Sequence, residues 1–343
     1  MSISGSGFTF DETRMISWMH KSDAFDRVLH VAHREWHGIR HATAYLPGHK
    51  LLISSSKNPS DEEVEHVASF IDNQAVKRVV FQGYSDAADY LVVHLAPRVG
   101  SEVQFYVITH TTTSQFDNHF EMHMQARIFS RLQYKTLTRI GSVKPYFSSS
   151  FSQYYPHTII NFAPTIPEGS FSRARLDGSV FIPLDVGWRK NRYTNIIAAL
   201  RSARVSSVLT NNFPDGIESL IDLSKLKLTN YLRGLKLFEK MAAVDAVLLA
   251  TLAECQPMTQ LEAFAVGTPA LTLRLNIPDF QDDEVMQICE VDCVDNGYYI
   301  TKALDRLMDW QSSDPTACQQ AISDHLTRRQ MIACDRYADF LEL

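Results

Sequence analysis

This chain of 343 residues has neither a long apolar run nor a cysteine pattern typical of a metal site. Its apolar stretches fall well short of the roughly 18 residues that cross a bilayer, so we expect no membrane-spanning helix. Residues 1–10 lack a basic segment followed by an apolar one, so we also expect no secretion signal. Hydrophobic residues make up 45% of the chain and charged residues 21%, which is typical of an ordinary globular protein.

The five cysteines are an odd number, and only Cys289 and Cys293 lie close together. No second pair of Cys or His follows them at the distance typical of a zinc site. Four histidines also lie near one another: His30, His33, His37 and His41. Their spacing does not keep them on one strand face beside a carboxylate, so we interpret them as cleft lining or surface. The sequence therefore predicts no metal site, and reduced thiols in the cytoplasm.

Acidic residues are missing from residues 122–167, although the whole chain has a net charge of −6. Basic residues recur there every four positions: Arg127, Arg131, Lys135 and Arg139. In a helix this spacing would place them on one face as a cationic stripe. Such a stripe would bind an anionic membrane with a lipid-linked acceptor, an anionic polysaccharide, or nucleic acid. We rank the membrane or cell-surface glycan above nucleic acid, with peripheral contact at the inner face of the membrane.

Short apolar runs alternate with amphipathic segments along most of the chain. The runs predict strands over 28–32, 50–54, 78–82, 103–109, 180–184, 207–210, 246–250 and 270–273. The amphipathic segments predict helices over 61–73, 86–95 and 193–204. Because the strands are almost continuously apolar, both faces of each sheet should be covered, as in parallel sheets. The alternation therefore predicts an α/β fold.

A non-periodic stretch over residues 161–176 contains two prolines and a glycine, and we interpret it as a linker. The sequence then predicts two domains, over 1–164 and 165–325, with a final helix over 326–343 that packs back on the first. We expect two Rossmann-like domains facing each other across a cleft, because ligands bind beyond the carboxyl ends of parallel strands.

The segment 246–273 is the most informative part of the sequence: AVLLATLAECQPMTQLEAFAVGTPALTL. It predicts a strand, a loop, a helix that begins near Pro257, a tight turn and a second strand. A helix N-terminus presents unpaired N–H groups and partial positive charge, which suits a diphosphate. Glu254 in the loop and Glu262 in the helix are eight positions apart, so the pair could accept hydrogen bonds from two separate hydroxyl groups of one ligand.

This segment resembles the E-x7-E signature of the retaining GT-B glycosyltransferases, in particular glycosyltransferase family 4. The resemblance implies that Glu254 contacts the donor sugar, that Met258 and Thr259 hold the diphosphate, and that Glu262 binds the ribose. It also implies a basic pair in the turn after the strand at 180–184, here Arg189 and Lys190. Fixed cations there would stabilise the departing diphosphate, so no metal or other cofactor is required.

Other parts of the chain match the family pattern less closely. The resemblance places His110, at the end of a strand, near the donor sugar and phosphate. The family's Gly-rich loop near the N-terminus is replaced by HREWHGIR, in which Gly38 and Arg40 are the candidates for the acceptor side. Asp245 resembles an aspartate that the family places before the strand at 246–250.

The sequence thus predicts a metal-independent hexosyl- or pentosyltransferase that moves a sugar from a nucleotide diphosphate to a hydroxyl acceptor with retention. The expected acceptor is a lipid-linked or cell-surface glycan. Two alternatives stay open: a DNA-base glycosyltransferase that uses the basic residues of 127–144, and a catalytically degenerate scaffold that binds nucleotide sugars.

Overall fold

The computed structural model describes residues 14–172, 177–212 and 223–343, residues 216 and 219, and the backbone of residues 2 and 3. It divides into two compact units. The first domain comprises Met1–Thr165 and Gln330–Leu343, and the second comprises Ile166–Arg329. The sequence places the corresponding boundaries after residues 164 and 325. Residues 173–176 of the predicted linker lie outside the described residues.

The first domain contains a six-stranded sheet in the order β1-β3-β2-β4-β5-β6. Its strands are β1 (Ser2–Ile3), β2 (Val28–His33), β3 (His49–Ile53), β4 (Arg78–Gln82), β5 (Gln104–Thr109) and β6 (Arg139–Ser142). Only the edge strand β1 is antiparallel to its neighbour; the other pairs are parallel. Every residue of β2 is buried, which explains why the sequence there is a continuous apolar run interrupted only by histidines.

The second domain contains a six-stranded sheet in the order β12-β11-β10-β7-β8-β9, with every pair parallel. Its strands are β7 (Ser179–Ile182), β8 (Ser207–Thr210), β9 (Leu226–Leu228), β10 (Ala246–Leu249), β11 (Ala270–Leu273) and β12 (Glu290–Val291). Numbered within this domain, the order is 3-2-1-4-5-6, that of a dinucleotide-binding sheet. The predicted α/β fold with two Rossmann-like domains is confirmed.

Helices follow most strands, as crossover connections require. In the first domain they are α1 (His37–Tyr45), α2 (Asp61–Asn73), α3 (Asp86–Leu95), α4 (His119–Gln133) and the short α5 (Phe147–Ser150). The next five are α6 (Arg192–Arg201), α7 (Leu235–Ala242), α8 (Met258–Ala265), α9 (Glu284–Cys289) and α10 (Gly297–Ser313). The last is α11 (Pro315–Leu341), whose final residues belong to the first domain.

Helix starts are set by capping side chains that satisfy otherwise unpaired N–H groups. Ser60 forms a capping box with Glu63 at the start of α2, and Ser85 accepts a hydrogen bond from the Ala88 N–H at the start of α3. The predicted helices over 61–73 and 86–95 therefore begin and end where the sequence indicates.

The end of α11 is fixed to the first sheet by arginines and aromatic rings. Arg78 donates from Nε to the Leu341 carbonyl oxygen at 2.8 Å, and Arg139 donates from Nη1 to the Phe340 carbonyl oxygen at 3.1 Å. A Cβ atom at Gly141 would come within 3.0 Å of the Phe340 ring, so glycine leaves room for this packing. Residues 330–343 are thus part of the first domain's core, not a detached tail.

The predicted cationic stripe is wrong for a simple geometric reason: the helix ends at Gln133. Arg127 and Arg131 lie on α4, whereas Lys135 follows the helix with φ of 57° and Arg139 opens β6. The four side chains therefore lie on different elements and do not share one face.

Three of these four basic residues are also bound to acceptors within their own domain. Arg131 Nε and Nη2 contact the two carboxylate oxygens of Asp89 at 2.8 and 2.9 Å. Arg127 Nη1 lies 2.7 Å from Asp86 Oδ1. Arg139 pairs with Glu342 in addition to the carbonyl group it holds on α11. The missing acids of residues 122–167 are supplied by other segments, so the local excess of positive charge is largely cancelled.

Two of the histidines near the start of the chain are core residues, which corrects their interpretation as cleft lining or surface. His30 and His33 are both 0% exposed on β2. His30 Nε2 lies 2.9 Å from the Pro47 carbonyl oxygen, and His33 Nε2 lies 2.8 Å from Ser85 Oγ. Burial lowers the pKa of His30 to about 3 and that of His33 to about 4, because the charged ring loses its hydration.

These buried histidines predict that the first domain loses stability in mild acid. Between pH 6.5 and about 4 the folded state binds fewer protons at His33 than the unfolded state does, so the free energy of unfolding falls as the pH falls. The loss should be about 1.4 kcal/mol for each unit of pKa depression. Differential scanning calorimetry should show the melting temperature of this domain falling as the pH is lowered from 7.5 to 4.5.

The matched variants are His33→Gln and His119→Gln. The first removes one buried titrating ring and should reduce the slope of the pH dependence by the share of His33, because His30 and His110 remain. The second replaces an exposed histidine and should leave the slope unchanged. A His33→Gln profile parallel to that of the wild type would show that this histidine does not drive the acid sensitivity.

Candidate functional site

Three of the predicted site residues meet in the second domain. Lys190 Nζ lies 3.0 Å from Glu254 Oε2, and Arg189 Nη1 lies 3.6 Å from the same oxygen. Arg189 Nη1 also donates to the Ala253 carbonyl oxygen at 3.0 Å. All three side chains are partly accessible to solvent, so the cluster is open to a ligand. Two cations and one carboxylate leave it with a net positive charge.

The sheet topology explains why residues 64 positions apart come together. Arg189 and Lys190 follow β7, and Glu254 follows β10, and these two strands are hydrogen-bonded neighbours in parallel register. Parallel strands place their carboxyl ends at the same edge, so the loops after β7 and β10 must lie side by side. The strand order reverses between β7 and β10, and this switch point is where open α/β sheets bind ligands.

Two asparagines hold the basic loop in place. Asn191 adopts a left-handed conformation with φ of 53° and donates from Nδ2 to the Ala250 carbonyl oxygen at 2.9 Å. Asn195 is fully buried; its Oδ1 accepts from the Ala250 N–H at 3.0 Å, and its Nδ2 donates to the Asn191 carbonyl oxygen at 2.7 Å. Sequence reasoning missed both residues. The only signal in the sequence was one asparagine just before a helix and a second asparagine one helical turn after the first.

Helix α8 carries the remaining residues predicted to bind the donor. It begins at Met258, directly after Pro257, and Met258 is 7% exposed while Thr259 is half-buried. Its first N–H groups lack partners within the helix, as at every helix start, and they follow Glu254 by a few residues. Glu262 lies in the second turn and is 1% exposed. A ribose would therefore have to reach a carboxylate that solvent barely reaches.

Asp245 binds the backbone at the start of β7 in the second domain. Its Oδ2 accepts hydrogen bonds from the backbone N–H groups of Asp177 at 3.0 Å, Gly178 at 2.5 Å and Ser179 at 2.9 Å. Burial raises the pKa of Asp245, and these three hydrogen bonds oppose the shift. The carboxylate thus fixes the start of β7 against β10, at the edge of the sheet opposite the basic cluster.

His110 directly follows β5 in the first domain and is half-buried. Its Nε2 lies 3.0 Å from Gln82 Oε1, and Gln82 Nε2 donates to the Tyr337 hydroxyl oxygen at 2.5 Å. Burial lowers the pKa of His110 to about 4, so the ring is neutral near pH 7. Because Gln82 Oε1 can only accept, Nε2 carries the proton and Nδ1 remains as an acceptor.

Gly38 and Arg40, the predicted acceptor-side candidates, lie in the first turn of α1 and not in a loop. A Cβ atom at Gly38 would meet nothing within 4 Å, so no close backbone approach requires glycine there. Arg40 Nη2 lies 2.9 Å from His37 Nδ1, and its Nη1 donates to the Arg34 carbonyl oxygen. The guanidinium therefore ties the loop after β2 to the start of α1.

Neither a metal cluster nor a membrane span is present in the part of the chain that the structure describes. No three His, Cys, Asp or Glu residues in that part are grouped so that they could hold a metal ion. None of its helices combines the length and apolar character needed to cross a membrane.

No protein-family model and no curated protein sequence matches the chain. Solved structures do match it over most of its length. HepE from Anabaena, bound to UDP and glucose, is 11% identical with a TM-score of 0.59, and the match covers 92% of this chain and 99% of HepE. An α-glucosyltransferase bound to UDP and a 13-mer DNA containing an HMU base is 10% identical with a TM-score of 0.58, covering 92% and 99%.

A third match is trehalose-6-phosphate synthase, solved in work on glycosyl transfer with retention. It is 9% identical with a TM-score of 0.53, and the match covers 92% of this chain and 99% of the synthase. This chain has the GT-B fold. The GT-B fold is therefore established by structure, and at such low identity the likeness extends to the fold alone.

Proposed function

We propose that this GT-B chain is a glycosyltransferase that moves a sugar from a nucleotide diphosphate donor to a hydroxyl acceptor. The observation that carries the proposal is the cluster of Arg189, Lys190 and Glu254 at the switch point of the second sheet. HepE and the DNA-bound α-glucosyltransferase both hold UDP, which supports a nucleotide-sugar donor and makes UDP the first nucleotide to test.

In the proposed reaction Arg189, Lys190 and the first N–H groups of α8, at Met258 and Thr259, hold the diphosphate. Glu254 accepts hydrogen bonds from sugar hydroxyls, and Glu262 accepts them from the ribose. The bond between the anomeric carbon and the phosphate oxygen breaks, and the fixed cations stabilise the charge that develops on the departing oxygen. The acceptor hydroxyl attacks from the leaving-group side and gives its proton to that oxygen, so configuration is retained without a metal.

We include in this proposal that the chain is a retaining enzyme similar to glycosyltransferase family 4, with Glu254 and Glu262 as its E-x7-E motif. The neighbour solved in work on transfer with retention supports the stereochemistry. His110 has a neutral ring with a free acceptor nitrogen at a strand end, which suits a contact with a sugar hydroxyl.

Binding of UDP tests the donor site directly. We expect isothermal titration calorimetry to show that the wild type binds UDP and that Glu262→Gln binds it about 10- to 100-fold more weakly, since a hydrogen bond to a charged group contributes roughly 1.5–3 kcal/mol. Glu284→Gln, which changes an exposed glutamate of the same domain, is the control. Circular dichroism should show that both variants are folded. If no nucleoside diphosphate binds the wild type, the proposed donor site is wrong. Binding of a UDP sugar without any turnover would instead indicate the catalytically degenerate scaffold.

The ion pair between Lys190 and Glu254 generates a second prediction. A diphosphate must compete with this carboxylate for the cations, whereas a sugar hydroxyl needs the carboxylate as acceptor. Glu254→Gln should therefore bind UDP as tightly as the wild type or more tightly, while its turnover of the UDP sugar falls on the order of 100-fold. Lys190→Gln should weaken UDP binding. If Glu254→Gln weakens UDP binding to the same degree as Lys190→Gln, then Glu254 does not act on the sugar.

The proposed acceptor is a lipid-linked or cell-surface glycan, reached from the inner face of the membrane. Because Arg127, Arg131 and Arg139 are paired with carboxylates of their own domain, the support for membrane contact comes instead from the end of α4. There Tyr134 is 73% exposed and stands beside the exposed Lys135. Tyrosine and lysine are both favoured at the boundary between water and an anionic membrane.

A DNA base is the second candidate acceptor, favoured by the fold likeness to the DNA-bound α-glucosyltransferase. Flotation with phosphatidylserine-containing vesicles and mobility shift with duplex DNA separate the two. We expect binding to the anionic vesicles that is lost at high salt and weakened by Lys135→Glu, but not by the control Lys57→Glu in the exposed loop after β3. Binding to DNA without binding to vesicles would favour the DNA acceptor instead.

A further inference from the structure

A groove of about 380 Å³ lies on the first domain between α3 and α4. Its lining includes Asn58, Asp86, Asp89, Tyr90, Arg127 and Arg131. The volume falls within the roughly 300–1,000 Å³ of small-molecule sites. None of the residues proposed to bind the donor, neither His110 of the first domain nor those of the second, lines this groove.

The charged side chains of the groove are held in fixed positions. Asp89 is 6% exposed and receives two hydrogen bonds from Arg131 and one, at 2.9 Å, from the Tyr84 hydroxyl. Burial acts to raise the pKa of Asp89, but the hydrogen bonds from Arg131 and Tyr84 outweigh it and keep the pKa below its ordinary value. Arg127 Nη1 lies 2.7 Å from Asp86 Oδ1 and 3.5 Å from Asp89 Oδ2, so it bridges the two carboxylates. These side chains are therefore ordered before any ligand arrives.

The charges in the groove cancel, because two carboxylates face two guanidinium groups. An anion would meet Asp86 and Asp89, and a cation would meet Arg127 and Arg131, so either would have to break an ion pair in order to bind. A neutral ligand with many hydroxyl groups faces no such penalty. Each guanidinium has five N–H donors, more than its carboxylate partners take, and Asn58 adds an amide that both donates and accepts.

An aromatic pair completes the wall of the groove. The rings of Tyr90 and His94 are stacked, with centroids 3.8 Å apart and planes inclined by 20°. Both side chains are half-buried. They offer a flat surface with apolar character beside fixed polar groups, and this combination suits the C–H face and the hydroxyl rim of a sugar ring.

We propose that this groove binds a neutral oligosaccharide. It is a second carbohydrate site, and it goes beyond the proposed transfer reaction because it depends on no residue of the donor site. Saccharide binding here would hold a glycan chain on the first domain whether or not a nucleotide is bound.

The test is saturation-transfer-difference NMR without nucleotide, with a panel of neutral hexasaccharides: maltohexaose, cellohexaose, xylohexaose and mannohexaose. We expect at least one to bind, and the double variant Asn58→Ala/Asp86→Ala to bind it about tenfold more weakly through the loss of its hydrogen bonds. The control is Asp61→Ala. Asp61 is also the first residue of a helix and pairs with an arginine, Arg98, at 3.5 Å, but lies outside the groove.

Equal binding by the wild type and the double variant would overturn the proposal. So would a lack of binding by the whole panel, or binding of a heparin hexasaccharide in place of the neutral ones, because that would identify an anion site. UDP titration of the same double variant should give the wild-type affinity. The proposal for the groove and the proposal for the donor site can therefore be disproved independently of each other.

Discussion

Parallel pairing of β7 with β10 is the constraint on which the candidate donor site depends. It brings together two loops whose functional side chains are separated by 64 positions in the chain. Asp245 fixes the amino end of this pair through three backbone N–H groups, and Asn195 fixes the carboxyl end through Ala250. Both are buried polar residues whose hydrogen bonds are satisfied, so the loops that carry Arg189, Lys190 and Glu254 rest on a rigid base.

Under the proposed function, a diphosphate takes the place of the Glu254 carboxylate at this switch point. In the structure the carboxylate of Glu254 lies against Lys190 and Arg189 and offsets part of their charge. The pair is partly accessible to water, so its contribution to stability is small, and exchange of the carboxylate for a phosphate group is not opposed by a large penalty. A net positive site that carries its own weakly held anion is well suited to bind a diphosphate and to release it after reaction.

The first domain uses charge in a different way. Three of its arginines stabilise the fold. Arg139 and Arg78 donate hydrogen bonds to the end of α11, and Arg131 pairs with the buried Asp89. Three of its histidines, His30, His33 and His110, have a pKa lowered by burial and are neutral near pH 7. What these residues leave for recognition is therefore fixed hydrogen-bonding groups and exposed aromatic rings, together with the exposed Lys135. This difference between the domains is the one that the proposed phosphate site in the second domain and the proposed carbohydrate groove in the first would require.

The sequence by itself determined the α/β class, eight apolar strands, and the helices over 61–73 and 86–95. It also singled out Arg189, Lys190 and Glu254, which the structure brings together. Hydrophobic periodicity and the motif around Glu254 are local signals, and such signals can be read from the sequence without three-dimensional information. Strands β1, β6, β9 and β12 were missed because their residues show little apolar pattern. Only the tertiary structure decided which charges meet. The partners of Arg127, Arg131 and Arg139 lie about 40 to 200 positions away along the chain, so a segment without acids looked basic when it is in fact neutralised. The same holds for Asp245 and His33, whose structural roles depend on backbone groups and side chains that sequence spacing does not reveal.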